Sequence, residues 1–298
     1  MSYLDYLRSL TTNRKDSLNW DDLLAIVNTH TIFDKSIAAI CHEDPLYIER
    51  KILNHVVKSF HIKAHFEYLT GVSGRNNAFV YKKTDGTASG LFLDEILDLS
   101  IMEAFLTVWA VVYKPEQIRF CKWKWEHLLN TIAGKETDRS DNKNVILETD
   151  MSDLSITQAL DMYWSAWTFV VGHEIYHIIN RDELSTREEE FQADRFGFQV
   201  LIRFIQEQKA GILPEGLDCY YEEFYLVPCM LMYFFMTLDK YRTVTIPYGN
   251  TDTHPSPEER MQHIIDLFDV DVPEDMDTTN GNAFLATFLD AVDQLNGL

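Results

Sequence analysis

Residues 173–177 read His-Glu-Ile-Tyr-His, and residues 188–194 read Glu-Glu-Glu-Phe-Gln-Ala-Asp. The first stretch lies near the end of a run, Ile156–Ile179, whose apolar spacing behind Ser155 predicts a long helix. On a helix, residues four apart share a face, with about 5–6 Å between their Cβ atoms. His173 and His177 can therefore converge on one divalent ion through bonds of about 2.0–2.1 Å. Glu174 cannot share the histidine direction, but it can lean towards a water held by that ion. This is the logic of the H-E-x-x-H pattern.

A site of this kind needs a third ligand, and the second stretch supplies one. A helix is expected from Leu184 or Ser185 to Lys209. If it folds back antiparallel on the first helix, turning at Arg181–Leu184, facing residues have position numbers of constant sum. His177 with Glu190 and His173 with Asp194 have the same sum. One register thus sets Glu190 opposite one histidine and Asp194 opposite the other. Glu190 completes a His₂Glu set for one zinc ion. Asp194 can accept the second ring N–H of His173 and fix its tautomer. Glu188 and Glu189 point elsewhere and read as solvated charges. Glu174 and His177 also spell E-x-x-H, but a di-iron bundle needs a second such motif, and the chain has none.

Further along stands Asp252-Thr-His-Pro-Ser-Pro-Glu-Glu-Arg260. A loop histidine before proline can reach into a cleft and donate to a developing oxyanion, or it can merely pack. Arg260 could hold that loop or share the role of His254.

Four patches in this order resemble the soluble catalytic core of the CAAX prenyl protease and heat-shock membrane protease family of zinc peptidases, which are gluzincins. Asn77-Ala-Phe-Val with Leu91-Phe-Leu-Asp resembles that family's hairpin before the catalytic helix. His173–His177 matches its metal motif, and Glu190-Phe-Gln-Ala-Asp194 its glutamate-ligand helix. Thr253–Arg260 resembles its His-Pro…Arg signature. The resemblance implies a zincin-like core, with His254 stabilising the transition state. It also implies that Asn77, Ala78 and Phe79 form an edge strand to which a peptide adds by backbone pairing. The chain departs from the family in lacking its membrane helices and in the long interval 98–160 between hairpin and catalytic helix. A weaker likeness, in size and motif placement, is to the Lit-type phage-exclusion peptidases.

Outward from these motifs, the pattern is mainly α with a small β-hairpin, an α+β arrangement. One metallopeptidase domain is expected over 1–298. It comprises an N-terminal helical region (1–70), a zincin-like core (71–270) with a helical insertion (98–160), and a C-terminal helix (271–298). In the first region Pro45 opens a helix whose apolar stripe runs through Ile52, Leu53, Val56, Phe60 and Phe66, with His61 and His65 as a surface pair. Ala78–Lys83 and Ser89–Leu93 flank Thr84-Asp-Gly-Thr87, a hairpin signal. Helices are also expected at Asp94–Tyr113, closed by Pro115, and at Tyr220–Tyr241, kinked or stopped by Pro228. Two more are expected at Glu258–Phe268 and Asn282–Leu295.

The formal net charge of −21 repels phosphate backbones, so nucleic acid is not an expected partner. Cys41, Cys121, Cys219 and Cys229 form no C-x-x-C pair and suggest free thiols in a reducing compartment. With no secretory pattern at the N-terminus and no apolar run long enough to span a bilayer, a cytoplasmic location is expected. The expected function is zinc-dependent endoproteolysis of a peptide or protein. The alternative is a catalytically silent zinc-containing protein-binding module, for which the intact Glu174 would be superfluous. Oligomeric state leaves no mark on the sequence.

Overall fold

The computed structural model describes residues 47–64, 66–71, 78–82, 89–133, 153–180, 186–217, 220–245 and 254–297. Helix α1 (Tyr47–Ser59) buries Ile52, Leu53 and Val56, one face of the expected stripe. It ends sooner than that stripe suggested. His61 takes a left-handed φ of 52°, and the N–H of Ile62 reaches back to the Val57 carbonyl at 2.9 Å. This is the hydrogen-bonding pattern that closes helices through a left-handed residue. Phe66 is therefore not on α1, and His61 lies beyond its end; His65, and with it the expected surface pair, lies outside the described residues.

Phe66 opens strand β1 (Phe66–Gly71) instead, so a strand replaces helix at the end of the expected helical region 1–70. Strands β2 (Phe79–Lys82) and β3 (Ser89–Asp94) pair antiparallel, from Lys82↔Ser89 to Phe79↔Phe92, as the hairpin signal predicts. The turn between them lies outside the described residues. β1 joins the other side of β3 in parallel, from Phe66↔Ser89 to Gly71↔Asp94, giving the order β1-β3-β2. A parallel partner is recruited from a distance, which local strand signals do not reveal. Among the described strands, β2 keeps one edge without a partner.

Helices make up the rest of the core. α2 (Glu95–Tyr113) and α4 (Asp153–Ile179) are apolar on most sides, and both are enclosed. α3 (Ile118–Ile132) follows α2 after a turn opened by Pro115. α5 (Arg187–Lys209) runs along α4, while α2 covers another side of it and β2 and β3 touch it as well. Pro228 falls in the first turn of α6 (Val227–Thr245), where its missing N–H costs nothing. It opens that helix behind a 3₁₀ turn at Glu222–Leu226 and does not kink it. α7 (Pro257–Asp271) begins with a capping box between Ser256 and Glu259 and packs on α5 and α6. α8 (Gly281–Asn296) closes against α2 and α6. The architecture is mainly α with one three-stranded sheet. No described helix is long and apolar enough to cross a membrane. Cys121 and Cys229 are buried free thiols; Cys41 and Cys219 lie outside the described residues.

Candidate functional site

The site is built where α4 and α5 come closest. Gly172 and Gly197 face one another at this crossing. A Cβ on Gly172 would lie 2.8 Å from the Gly197 Cα, and one on Gly197 would lie 2.6 Å from the Phe169 carbonyl oxygen. Only hydrogen fits at both positions, so the backbones approach closely just beside His173. That approach lets side chains of ordinary length meet across the gap.

His173 Nε2 lies 3.2 Å from His177 Nε2. Glu190 faces both rings, with Oε2 at 3.5 Å from His173 Nε2 and Oε1 at 3.7 Å from His177 Nε2. Two ligands held tetrahedrally by bonds of about 2.0–2.1 Å sit roughly 3.3–3.4 Å apart, so these spacings suit one zinc-sized ion. All three residues offer a ligand atom within 4.8 Å of the others, and no other described group of His, Cys, Asp and Glu does so.

Behind this set lies a charged layer. His173 Nδ1 donates to Asp194 Oδ1 at 2.9 Å, which leaves Nε2 with its lone pair inward. Arg260, in the first turn of α7, grips the same carboxylate, Nε to Oδ2 at 2.8 Å and Nη2 to Oδ1. Its Nη2 lies 3.3 Å from His173 Nδ1, two donors converging on one acceptor. Asp194 is 0% exposed. Burial works to raise its pKa, but the charge and hydrogen bonds of Arg260, aided by His173, hold it well below the usual carboxylate range. Glu190 is also lowered: the positive field of His173, His177, Arg260 and His254 outweighs its burial. Burial favours an uncharged His173, yet its bond to Asp194 holds the ring above the ordinary imidazole value.

Glu174 is 8% exposed and sits beside this set. Burial, reinforced by Glu190 and opposed by His173 and Arg260, pushes its carboxyl up to about 7. His254 lies on the open side, 56% exposed at the side chain, with Nε2 3.4 Å from Glu190 Oε1. Arg260 is committed to Asp194 and does not reach outward, so it ties the start of α7 to α5 and does not share the role expected of His254. Asn77 lies outside the described residues. Ala78 is buried, and Phe79 begins β2, which packs against α4.

The sequence reading misplaced one residue. Glu188 is solvated as expected, bonded to Gln192. Glu189, read as another solvated charge, is buried at 7% exposure. Its Oε1 lies 3.4 Å from His177 Nδ1, and its other oxygen is buried with no hydrogen-bond partner. The sequence does not single it out, because one step off the facing register turns a helical side chain by about 100°.

Comparison with known proteins gives one match. The family Peptidase U49 matches residues 131–280, half of the chain. The matched span holds α4 to α7 and every residue of the site named above except Asn77, Ala78 and Phe79. No curated protein and no solved structure matches.

Proposed function

Because this chain belongs to the Peptidase U49 family, and is on that ground a peptidase, we propose that it is a zinc-dependent endopeptidase with a gluzincin-type site. The observation that carries the proposal is the convergence of His173, His177 and Glu190 at the spacing of a tetrahedral ion, with buried Glu174 alongside. Two imidazoles and a carboxylate are a donor set that suits zinc. Zinc bound there would supply Lewis acidity and a water acidified to near neutral pH.

The residues of the chain do the rest. Glu174, buried beside the two histidines, takes a proton from the attacking water and passes it to the departing amine. His254 stands on the open side and donates to the carbonyl oxygen as negative charge develops there. Donors of this kind are worth roughly 10²–10³ in rate. Asp194 keeps His173 in the ligating tautomer, and Arg260 secures Asp194. The edge of β2 that has no partner among the described strands would take an extended peptide by backbone pairing, the role proposed for Asn77, Ala78 and Phe79. We propose a cytoplasmic location as well, supported by the free thiols of Cys121 and Cys229. The alternative of a silent zinc-containing binding module finds no support in a match to a peptidase family.

The test is elemental analysis together with a proteome-wide cleavage comparison of wild type and Glu174→Gln. Both proteins should carry one zinc, and only the wild type should produce cuts. The variant is expected to lose at least about 10²-fold in turnover. A variant that cuts at the wild-type rate, or a wild type that binds no zinc, would end the proposal.

A further inference from the structure

Three groups that can each offer a ligand atom face one another in this site. The Nε2 atoms of His173 and His177 are 3.2 Å apart, and the Glu190 oxygens lie 3.5 and 3.7 Å from them. Such a set is comfortable around a cation, but without one it invites a cheaper arrangement. A proton placed on either Nε2 would make a hydrogen bond to the other ring or to Glu190, and that nitrogen would be lost as a ligand. A neutral imidazole has one ring proton, and the hydrogen bond made by the other nitrogen decides where it sits.

His173 is committed, because its Nδ1 donates to Asp194. The corresponding partner of His177 is Glu189. Its carboxylate is buried, its Oε1 is 3.4 Å from His177 Nδ1, and its Oε2 is buried without a hydrogen-bond partner. Burying a carboxylate in this way is costly unless it has a donor to accept from. The backbone fixes where it sits: Thr186 caps α5, and its hydroxyl accepts the Glu189 N–H at 3.1 Å, so the first helical turn aims this side chain back at α4. Glu190, the next residue, points into the site.

We infer that Glu189 is a positioning residue that holds the proton of His177 on Nδ1, so that the empty cage presents only acceptors and is preset for a cation. The inference rests on the reading of His177 as a ligand, and it adds a residue to which sequence reasoning gave no role. Two carboxylates of α5, Asp194 and Glu189, would then set the two rings, one each.

The test reads the metal-free wild-type protein directly. Long-range proton–nitrogen NMR at mildly alkaline pH, with zinc removed by chelation, should show His177 protonated on Nδ1. Glu189→Met, similar in shape but without an acceptor, should move that proton to Nε2 and weaken zinc binding by roughly 10–100-fold. Glu189→Gln, which keeps an acceptor oxygen, should restore the Nδ1 tautomer and most of the affinity. A wild-type His177 protonated on Nε2 overturns the inference even if no variant folds. So does a Glu189→Met protein with unchanged tautomer and affinity. In both cases a chain that still binds zinc and cuts leaves the proposed function standing. A wild type that never binds zinc overturns the proposed function itself, whatever tautomer its spectrum shows.

Discussion

Glu174 and Asp194 are both buried carboxylates, and their environments push them in opposite directions, which gives opposite pH signatures. Glu174 has a folded-state value of about 7 against an ordinary 4.5. Between those values the folded metal-free chain holds a proton that the unfolded chain has released. The stability associated with this group is present below about 4.5 and lost as pH rises through about 7. Metal-free Glu174→Gln should therefore equal the wild type in acid and exceed it above neutrality, by about 3 kcal/mol at most. Urea titrations across the pH range read this directly. Asp194 has the opposite sign, because Arg260 depresses its folded-state value. Its contribution is present above the ordinary 3.8 and is lost as pH falls below it. Asp194→Asn should remove that part of the acid transition and lower zinc affinity by roughly 10–100-fold, as measured by competition with a chelating dye. The facing of His173 with Asp194 and of His177 with Glu190 was legible in the sequence, because antiparallel helices make register a matter of counting. Glu189 was not. Which of three adjacent glutamates turns inward depends on the rotation of α5, and a run of like charges hides it.

At the scale of elements, the site depends on how closely α4 can lie against α5. Gly172 immediately precedes His173, and Gly197 lies against the His173 backbone. Gly197→Ala would place a methyl group 2.6 Å from the Phe169 carbonyl oxygen and 3.1 Å from the His173 backbone nitrogen. Separating the helices to relieve that contact should cost about 1–3 kcal/mol and move Glu190 away from the histidines. The check is thermal denaturation combined with zinc titration. We expect both stability and zinc affinity to fall, whereas Gly211→Ala, where a Cβ meets nothing but φ is 66°, should cost some stability and leave affinity intact. Helix positions were largely readable from apolar spacing and from punctuation such as Pro115, Pro228 and the Ser256–Pro257 pair. The exceptions arose where a distant partner decides. Phe66–Gly71 carries a helical stripe by composition, yet it pairs with β3 because that strand has a second side to satisfy. The left-handed turn at His61 that frees it for this has no glycine to announce it.

Across the whole molecule, the proposed ion-binding set is concentrated in the stretch from His173 to Glu190, and the other helices hold that stretch in place. α7 does so most directly. It is tied to α5 by Arg260 with Asp194, by the paired bonds of Arg195 with Asp271 at 2.9 and 3.0 Å, and by Phe191 against His263 at 4.8 Å. The charge of the chain left no trace of this wiring, and neither did its length. The one carboxylate shared by His173 and Arg260 has a wider effect. Tightening the ring on an ion tightens the grip on a helix that never touches the ion, so metal supply should be felt well away from the metal. In hydrogen–deuterium exchange, adding zinc should slow the backbone amides in the opening turns of α7 while the middle of α3 stays as it was. A chelator should reverse this. An Asp194→Asn chain should show no such remote response, and its α7 would no longer register whether the cell has given the protein its metal.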